Sequence, residues 1–489
     1  MKKVLLFILL PLLSIGQSQI GVAIPGEAAN DNSSSVSLSS DGTTLAIGAP
    51  FNDGNGTNSG SVRVYKNVSG TWTQIGLDID GEAANDQSGC SVSLSGNGSV
   101  LAIGALYNGG NGRYSGSVRV YESRSGTWTK IGADIDGEAA ANYSGKSVSL
   151  SSDGSILAIG AEGNTKRGYA SGTVYVYKNI SGTWTQIGAD IYGVATYPAL
   201  GNNVSLSGDG GIVAIGLPSE HGVVSGSGKG VVRVFKNISG TWTQIGVDIE
   251  GEANGDNSGW SVSLSSDGTI LAIGSIFNGA NGSGSGSVRV FKNISDTWTQ
   301  IGTDINGVTT DDFSGRSISI SGDGSILVIG ADGNNHSGSV RIYKNVSGIW
   351  TKVGIDINGE AAYDQSGFNV SLSGNGSVLA IGAPYSDGNG VYSGSVRVYD
   401  LSAALAAVLS SDSFVLAKFS VFPNPASEVV TISLQEDLKL EKVNIYNTFG
   451  QLVKTEKKTV ITVNSLAKGI YFFEVITNKG KATKQIIVK

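Results

Sequence analysis

The sequence predicts an all-β chain: a seven-bladed β-propeller of four-stranded antiparallel blades, followed by a small C-terminal β-sandwich. Three observations lead there. A unit of about 56 residues recurs seven times between Gln19 and Tyr399. Each copy carries four short apolar-alternating runs separated by turn residues, with no sustained helical period. The two ends of the array complete one another, as a closed ring requires.

The first run of each unit has the form Ser91-Val92-Ser93-Leu94-Ser95, alternating apolar and small polar residues. Its central residue falls at Val36, Val92, Val148, Val204, Val262, Ile318 and Val370. An Asp-Gly or Asn-Gly pair follows, from Asp41-Gly42 to Asn375-Gly376. Such pairs favour a two-residue hairpin through their tolerance of positive φ. The second run is Leu101-Ala102-Ile103-Gly104-Ala105 and its equivalents. A longer Gly/Asn/Ser loop leads to Ser117-Val118-Arg119-Val120-Tyr121. A turn such as Asn67-Val68-Ser69-Gly70 then enters Thr71-Trp72-Thr73-Gln74-Ile75-Gly76. Four antiparallel strands, seven times over, suit a propeller. An open solenoid is the rival, but it needs atypical capping repeats, and none stands out.

The last copy stops at Tyr399-Asp400 without its Trp-Thr-Gln strand, whereas Gln19-Ile20-Gly21-Val22-Ala23-Ile24 matches that strand and precedes the first copy. Residues 19–24 are therefore expected to complete blade 7 and remove two free sheet edges. Six tryptophans repeat in this strand (Trp72, Trp128, Trp184, Trp242, Trp298 and Trp350), and packing between blades is their expected task.

The boundaries follow: residues 1–18 a leader, 19–400 the propeller, 401–417 a linker, 418–489 the sandwich. Lys2 and Lys3, the apolar stretch Val4 to Leu13, and the small residues Ser14, Gly16 and Ser18 have the form of an export signal. No other run approaches transmembrane length. One cysteine, Cys90, excludes an intrachain disulfide, and with only His221 and His336 a zinc site has little material. Residues 418–489 hold 11 Lys and 6 acidic residues, a net of +5, which leaves −14 for residues 4–417 once the leader lysines are set aside. An acidic ring argues against nucleic acid.

The tail motifs are Phe422-Pro423-Asn424-Pro425-Ala426, Ile445-Tyr446-Asn447-Thr448-Phe449-Gly450-Gln451, Leu466-Ala467-Lys468-Gly469-Ile470-Tyr471, and the final run Lys484 to Lys489. On these, residues 418–489 resemble the type A C-terminal sorting domain of the type IX secretion system of Bacteroidetes. The resemblance implies export across both membranes, with the type IX machinery as partner of the tail and the cell surface or medium as destination.

The repeats resemble FG-GAP repeats, the propeller units of integrin α subunits. Ser88-Gly89-Cys90-Ser91-Val92 stands at the Phe-Gly region, Phe313-Ser314-Gly315 keeps a Phe nearby, and Gly48-Ala49-Pro50 and Gly382-Ala383-Pro384 are literal Gly-Ala-Pro runs. Members that bind calcium carry several Asp or Asn between the first two strands, since Ca²⁺ takes six to eight oxygen ligands. Here that connection is only Ser39-Ser40-Asp41-Gly42-Thr43 or its like. A tight hairpin cannot wrap a cation, so these aspartates are read as turn formers and no cofactor is expected.

The loops after the second and fourth strands share one face, and they vary between copies. Two residues before the marker, the seven units hold Ser34, Cys90, Lys146, Asn202, Trp260, Arg316 and Phe368, with nearly constant neighbours. Tyr143, Tyr197, Phe313 and Tyr363 add aromatic rings in adjoining loops. Lys146, Asn202, Trp260, Arg316, Phe368, Tyr143, Tyr197, Phe313 and Tyr363 are the candidate ligand-binding residues, set around the mouth of the central channel. Neutral divergence at exposed loops explains the same variation. The repeated Glu27, Glu82, Glu138, Glu252 and Glu360 are read as caps for loop amides, and Asp31, Asp86, Asp256, Asp311 and Asp364 likewise. A cation between these loops is the open alternative.

No catalytic triad or phosphate loop stands out. The expected function is a non-catalytic exported propeller that binds glycans or proteins, as adhesin or scaffold. The alternative is a polysaccharide-degrading enzyme with its site in the channel. Near-equivalent repeats favour binding, because catalysis needs acids in unequal environments.

Overall fold

The computed structural model describes residues 16–193, 199–218, 228–346, 348–407, 418–435, 437–447, 452–478 and 480–489. The apolar part of the leader, Tyr197, His221, most of the linker and the tail residues Thr448 to Gln451 lie outside them. The chain divides into two compact units, the first running to Leu405 and the second from Ala406 to Lys489, with Val346–Gly348 grouped with the second. Among the described residues no helix is long and apolar enough to cross a membrane.

Blade 2 shows how the repeat folds. Its strands are Ser88–Leu94, Val100–Ala105, Ser117–Arg124 and Thr127–Lys130, hydrogen-bonded in chain order. The outer strand resumes at Ile135–Asp136 after a bend at Gly132, whose φ is +75°. The second strand is buried along its whole length, which is why it reads as an apolar run rather than an alternating one. The other six blades repeat the four-stranded arrangement, blade 6 with its outer strand unbroken from Ile349 to Asn358, so the fold is an all-β propeller of seven antiparallel blades.

The seventh sheet draws its outer strand from the other end of the chain. Ser18 and Gln19 pair with Asp400 and Tyr399, and Ile24 and Pro25 pair with Val396 and Ser395. The Ile20 amide donates to Val398 O at 2.7 Å. Ser18, assigned by sequence to the leader, is thus part of this strand, which is split in two as in blades 1 to 5. Ile24, Leu38, Leu45, Ile47, Val396 and Val398 form one buried cluster across the seam between blades 7 and 1. It has the same build as the cluster between blades 1 and 2, made of Val62, Val64, Ile79, Leu94, Leu101 and Ile103. The tryptophans lie against these clusters, and the indole N–H of Trp242 reaches the preceding blade at Ile187 O, 2.9 Å.

Two belts of hydrogen bonds run around the axis. In the first, the second serine of each Ser-Val-Ser-Leu run accepts the backbone N–H of the following blade. Leu94 donates to Ser37 Oγ, Leu150 to Ser93, Leu206 to Ser149, Leu264 to Ser205, Ile320 to Ser263 and Leu372 to Ser319, at 2.9 to 3.1 Å. Leu38 donates to Ser371 at 2.9 Å and closes the circle. In the second belt, the hairpins join through their backbones, from Ser40 N to Gly96 O (2.7 Å) and Gly96 N to Ser152 O (2.8 Å), round to Gly322 N on Gly374 O (2.8 Å) and Asn375 N on Ser40 O (3.4 Å).

The second belt explains a departure from the expected turn. The hairpins are not two-residue loops. Ser39 N bonds Thr44 O, which leaves Ser40, Asp41, Gly42 and Thr43 in the loop, and only Gly42 has positive φ. The extra residues free Ser40 to bond the neighbouring blade. Asp41 holds the loop from within, accepting from Ser39 Oγ at 2.6 Å and Thr43 N at 2.9 Å. Its oxygens are committed to these donors, so the hairpin does not fit a calcium ion.

A third contact fixes a glycine in the second strand. A Cβ on Gly104 would overlap the carbonyl oxygen of Gly145 in the next blade, and Gly48, Gly160, Gly216, Gly330 and Gly382 stand in the same crossing. The Gly of each Gly-Ala run and the backbone of the Ser-Gly region therefore meet face to face.

The C-terminal unit is a sandwich. Phe419–Phe422, Val429–Leu434 and Val460–Thr462 form one sheet. Leu452–Glu456, Leu440–Asn447, Gly469–Thr477 and Gly480–Val488 form the other. Val430, Ile432, Val443, Ile445, Ile461, Phe473 and Ile486 fill the space between. Asn424 of the Pro-Asn-Pro motif donates to Gln485 O and accepts from Ile487 N, both at 2.9 Å, tying the start of the unit to its last strand. The expected linker opens with a short helix, Ser402–Ala407, which the strand pattern did not foretell.

Three outcomes follow from this architecture. Deleting Gln19 to Ile24 removes blade 7's outer strand and should markedly lower the ring's melting temperature; an unchanged transition in calorimetry would refute the clasp. Ser149→Ala leaves the Leu206 N–H without its acceptor and should cost about 1–3 kcal/mol in urea unfolding. Burial works to raise the carboxyl pKa of Asp41, Asp153, Asp267 and Asp323, but hydrogen bonds from the flanking hydroxyls and amides outweigh it. At Asp209 the Ser207 hydroxyl leads. All five carboxyls are held below their ordinary value. The hairpins thus contribute stability above the unfolded pKa of about 3.9 and lose it as pH falls through the lower folded values. Asn97 and Asn375 do the same work without titrating. Replacing the five aspartates by Asn should lower the melting temperature at pH 7, because neutral amides accept more weakly, and flatten its fall below pH 4.

Candidate ligand-binding rim

The start of each inner strand and the loops after the second and outer strands build one rim of the ring. Their backbones are fixed by the repeat, so the side chains that differ between blades are held on a common frame. Gly60 pairs with Ser88, Gly116 with Ser144 and Gly286 with Ser314, which ties each third strand to the next blade's entry.

The rim loops depend on aspartates. Asp31 Oδ2 accepts from Ala28 N at 2.9 Å and from Asn52 Nδ2 at 3.2 Å. Asp86, Asp256 and Asp364 cap their loops in the same way. In blade 6 the equivalent is Asp312, not Asp311. It is buried, accepts from Val308 N at 2.7 Å and Asn334 Nδ2 at 2.7 Å, and faces Arg341 at 3.4 Å. Asp311 is exposed at φ +59°. The glutamates do not cap amides as expected; they accept from side chains. Glu27 takes Asn52, Glu252 takes Asn278, and Glu138 takes the Tyr175 hydroxyl at 2.6 Å and Lys166 Nζ. The carboxylate and burial together push the Tyr175 phenol far above its usual range.

The third-strand arginines explain why an acidic loop face coexists with buried cations. Arg119 donates to Asp80 O at 2.7 Å and Ser88 Oγ at 3.0 Å, and Arg397 donates to Asn358 O and Ser366 Oγ likewise. They tie blade to blade and are not available to a ligand.

The position two before the marker behaves differently. In blades 5, 6 and 7 the three side chains meet. The Arg316 guanidinium lies 5.1 Å from the Trp260 ring and 4.4 Å from the Phe368 ring. Its Nε stands 3.6 Å from Asp332 Oδ2. In blades 3 and 4, Lys146 approaches Glu162 at 3.6 Å and Asn202 donates to the same carboxylate at 2.8 Å. Ser34 is buried, and Cys90 Sγ rests on the Gly104 and Gly145 carbonyls, with burial pushing its thiol pKa up.

The remaining candidates lie farther out, in clefts. Tyr143 joins Tyr107 and Tyr114, with ring centroids 5.1 to 6.1 Å apart. These rings, with Asn85, Gln87 and Arg113, line a cleft of about 630 Å³ on blade 2. Phe313 meets Phe277 edge to face at 5.8 Å. It also lines a cleft of about 600 Å³ on blade 6, with Asp332, His336 and the exposed Tyr363. Burial raises the Asp332 carboxyl pKa against the pull of Arg316. Tyr143, Phe313 and Tyr363 all hold left-handed backbone at φ +52°, +53° and +72°, positions where Asn or Gly is the easier choice.

Sequence reasoning passed over Glu162, Asp332, Arg113 and Tyr114. The residue after each Gly-Ala run is Pro, Leu or Ile in most copies, and Glu162 and Asp332 stand out there. Among the described residues no group of acidic, His and Cys side chains is arranged to hold a metal ion.

Residues 20–65, 78–121, 250–291 and 358–399 match the FG-GAP repeat, and residues 420–489 match the secretion system C-terminal sorting domain. The four matched segments fall on blades 1, 2, 5 and 7. A stretch of 112 residues is 32% identical to ulvan lyase NLR42 of Nonlabens ulvanivorans. It spans 21% of this chain and 21% of that enzyme. Among solved structures, the periplasmic gluconolactonase PpgL of Pseudomonas aeruginosa is 18% identical, with a TM-score of 0.47 over 68% of this chain and 86% of that one. The Dos1 propeller is 12% identical, with a TM-score of 0.46 over 78% and 96%. Together, the repeat, the closed ring and the tail make this chain an exported FG-GAP-repeat β-propeller with a type IX secretion sorting domain.

Proposed function

We propose that the exported ring is a non-catalytic glycan-binding protein, an adhesin or interaction scaffold that engages polysaccharide with its variable rim. One observation carries this reading. Seven nearly identical blades differ where their side chains gather on one rim, and there they gather as aromatic rings with charged and amide groups. Flat rings offer stacking faces to sugar rings, and the polar groups orient them. The Trp260–Arg316–Phe368 stack is rigid before binding, since the guanidinium is already held between its two rings.

The short similarity to a polysaccharide lyase favours a second reading, in which the rim cleaves what it binds. Catalysis by proton transfer needs an acid and a base in unlike environments within reach of one bond. The rim acids Glu162 and Asp332 are each already matched with a basic side chain of their own blade. That arrangement suits recognition better than turnover.

The full-length protein should bind a subset of polysaccharides on a glycan array, ulvan included as a probe, without releasing reducing or unsaturated ends. Phe368→Ala should weaken that binding roughly tenfold while leaving the melting temperature within a few degrees. Release of oligosaccharides from any bound polysaccharide would turn the assignment to an enzyme.

A further inference from the structure

The clefts on blades 2 and 6 occupy the same place in the repeat. Each is built from the loop entering its blade, the loop after its second strand and the loop leaving it. Their chemistry is opposite. The blade 6 cleft presents Asp311 and Asp332. The blade 2 cleft has no acid; it presents Arg113 among three tyrosines, with the amides of Asn85 and Gln87.

Arg113 differs from the third-strand arginines. Residues 4–417 carry a large negative excess, and the third-strand arginines are buried against carbonyls or carboxylates. Arg113 is exposed. Its guanidinium lies over the Tyr114 ring at 4.5 Å and donates to the Tyr114 hydroxyl at 2.7 Å. Among the described residues no carboxylate stands within ion-pair distance of it. A guanidinium carries five N–H donors in a planar fork, and the Tyr114 hydroxyl takes one where the side chain lines the cleft.

The walls are set in advance. Ala141 N donates to Arg113 O at 2.9 Å, and Tyr143 N to Tyr114 O at 3.1 Å. On the other side Asn85 N donates to Thr57 O at 2.8 Å, and Gln87 N to Asn58 O at 3.1 Å. Backbone rungs thus hold both lips of the cleft, and ligand binding need not order them. The position of Tyr114 has no need of an aromatic residue: the same loop position holds Asn58 in blade 1.

Resting on the glycan-binding reading, we propose that the blade 2 cleft is an anion-selective sugar subsite. It takes a pyranose bearing a carboxylate or a sulfate. The sugar ring stacks on the tyrosines, the Asn85 and Gln87 amides meet its hydroxyls, and Arg113 forks onto its charge. The volume of about 630 Å³ is within the range of small-ligand sites.

The test uses the full-length protein and isothermal titration with three probes: trigalacturonate, galactose 6-sulfate and neutral galactotriose. At low salt at least one acidic probe should bind about tenfold more tightly than the neutral one, and added NaCl should shrink that advantage. Trigalacturonate and galactose 6-sulfate separate a carboxylate from a sulfate source. Arg113→Gln, an exposed change whose melting temperature should not move, should abolish the preference. Tyr143→Ala should weaken every probe that binds. Arg124→Gln, the same charge change at an exposed residue off the rim that pairs with Glu122, should leave the preference intact. Equal binding of acidic and neutral probes, or a preference that survives Arg113→Gln, would overturn the subsite while sparing the glycan-binding reading. No binding of any probe or of any arrayed glycan would overturn both.

Discussion

The structure depends on a circle of serine hydroxyls. Each accepts a backbone N–H from the next blade, and the seventh hands the chain back to the first. Without that circle the N–H groups of Leu94 and of its equivalents, all buried residues, would lose their acceptors, a costly arrangement. The serine is small enough to stand in the crowded centre and long enough to reach across. That double demand is why Ser-Val-Ser-Leu recurs with so little change, and why the neighbouring apolar residues alternate with it. The hairpin backbones repeat the same solution one step farther along the axis.

Much of this was legible in the sequence, because it is periodic. Ring closure could be read from the match between the first residues of the array and the missing last strand. The placement of the tryptophans between blades followed from their fidelity. What could not be read involved contacts between copies. The hairpin looked like a two-residue turn because Asp-Gly is the local signature of one. Its extra residues are used by the adjacent blade, a partner about 56 positions away that no local pattern announces. The loop acids were misassigned for a similar reason. Aspartate and glutamate differ by one methylene, and only the shorter one fits beneath its own loop amides, leaving the longer to reach outward to Asn52 or Tyr175. In blade 6 two adjacent aspartates offered two registers, and burial beside Arg341 selected Asp312.

The candidate rim was only half visible. Variation two residues before the marker flagged Trp260, Arg316 and Phe368, but not that they touch. Their meeting requires three successive inner strands to converge on the axis, a property of the ring and not of any strand. Glu162 and Asp332 escaped notice because each belongs to a run that is otherwise apolar. The result is a division of labour by position: serines, glycines and third-strand arginines hold the blades together, and a small set of loop positions is free to change. Charge can therefore be reversed between two equivalent clefts without disturbing the frame, as Arg113 and the Asp311–Asp332 pair illustrate.

The seam between blades 7 and 1 also orders events in time. Gln19 is made before its partner Tyr399, which lies 380 positions later. Six sheets hold all their strands before that partner exists, but the last cannot be finished, and contacts of such span form slowly. Until then the nascent polymer is an unsealed arc with two sticky margins. The last sheet can therefore be finished only where the whole repeat array is present together.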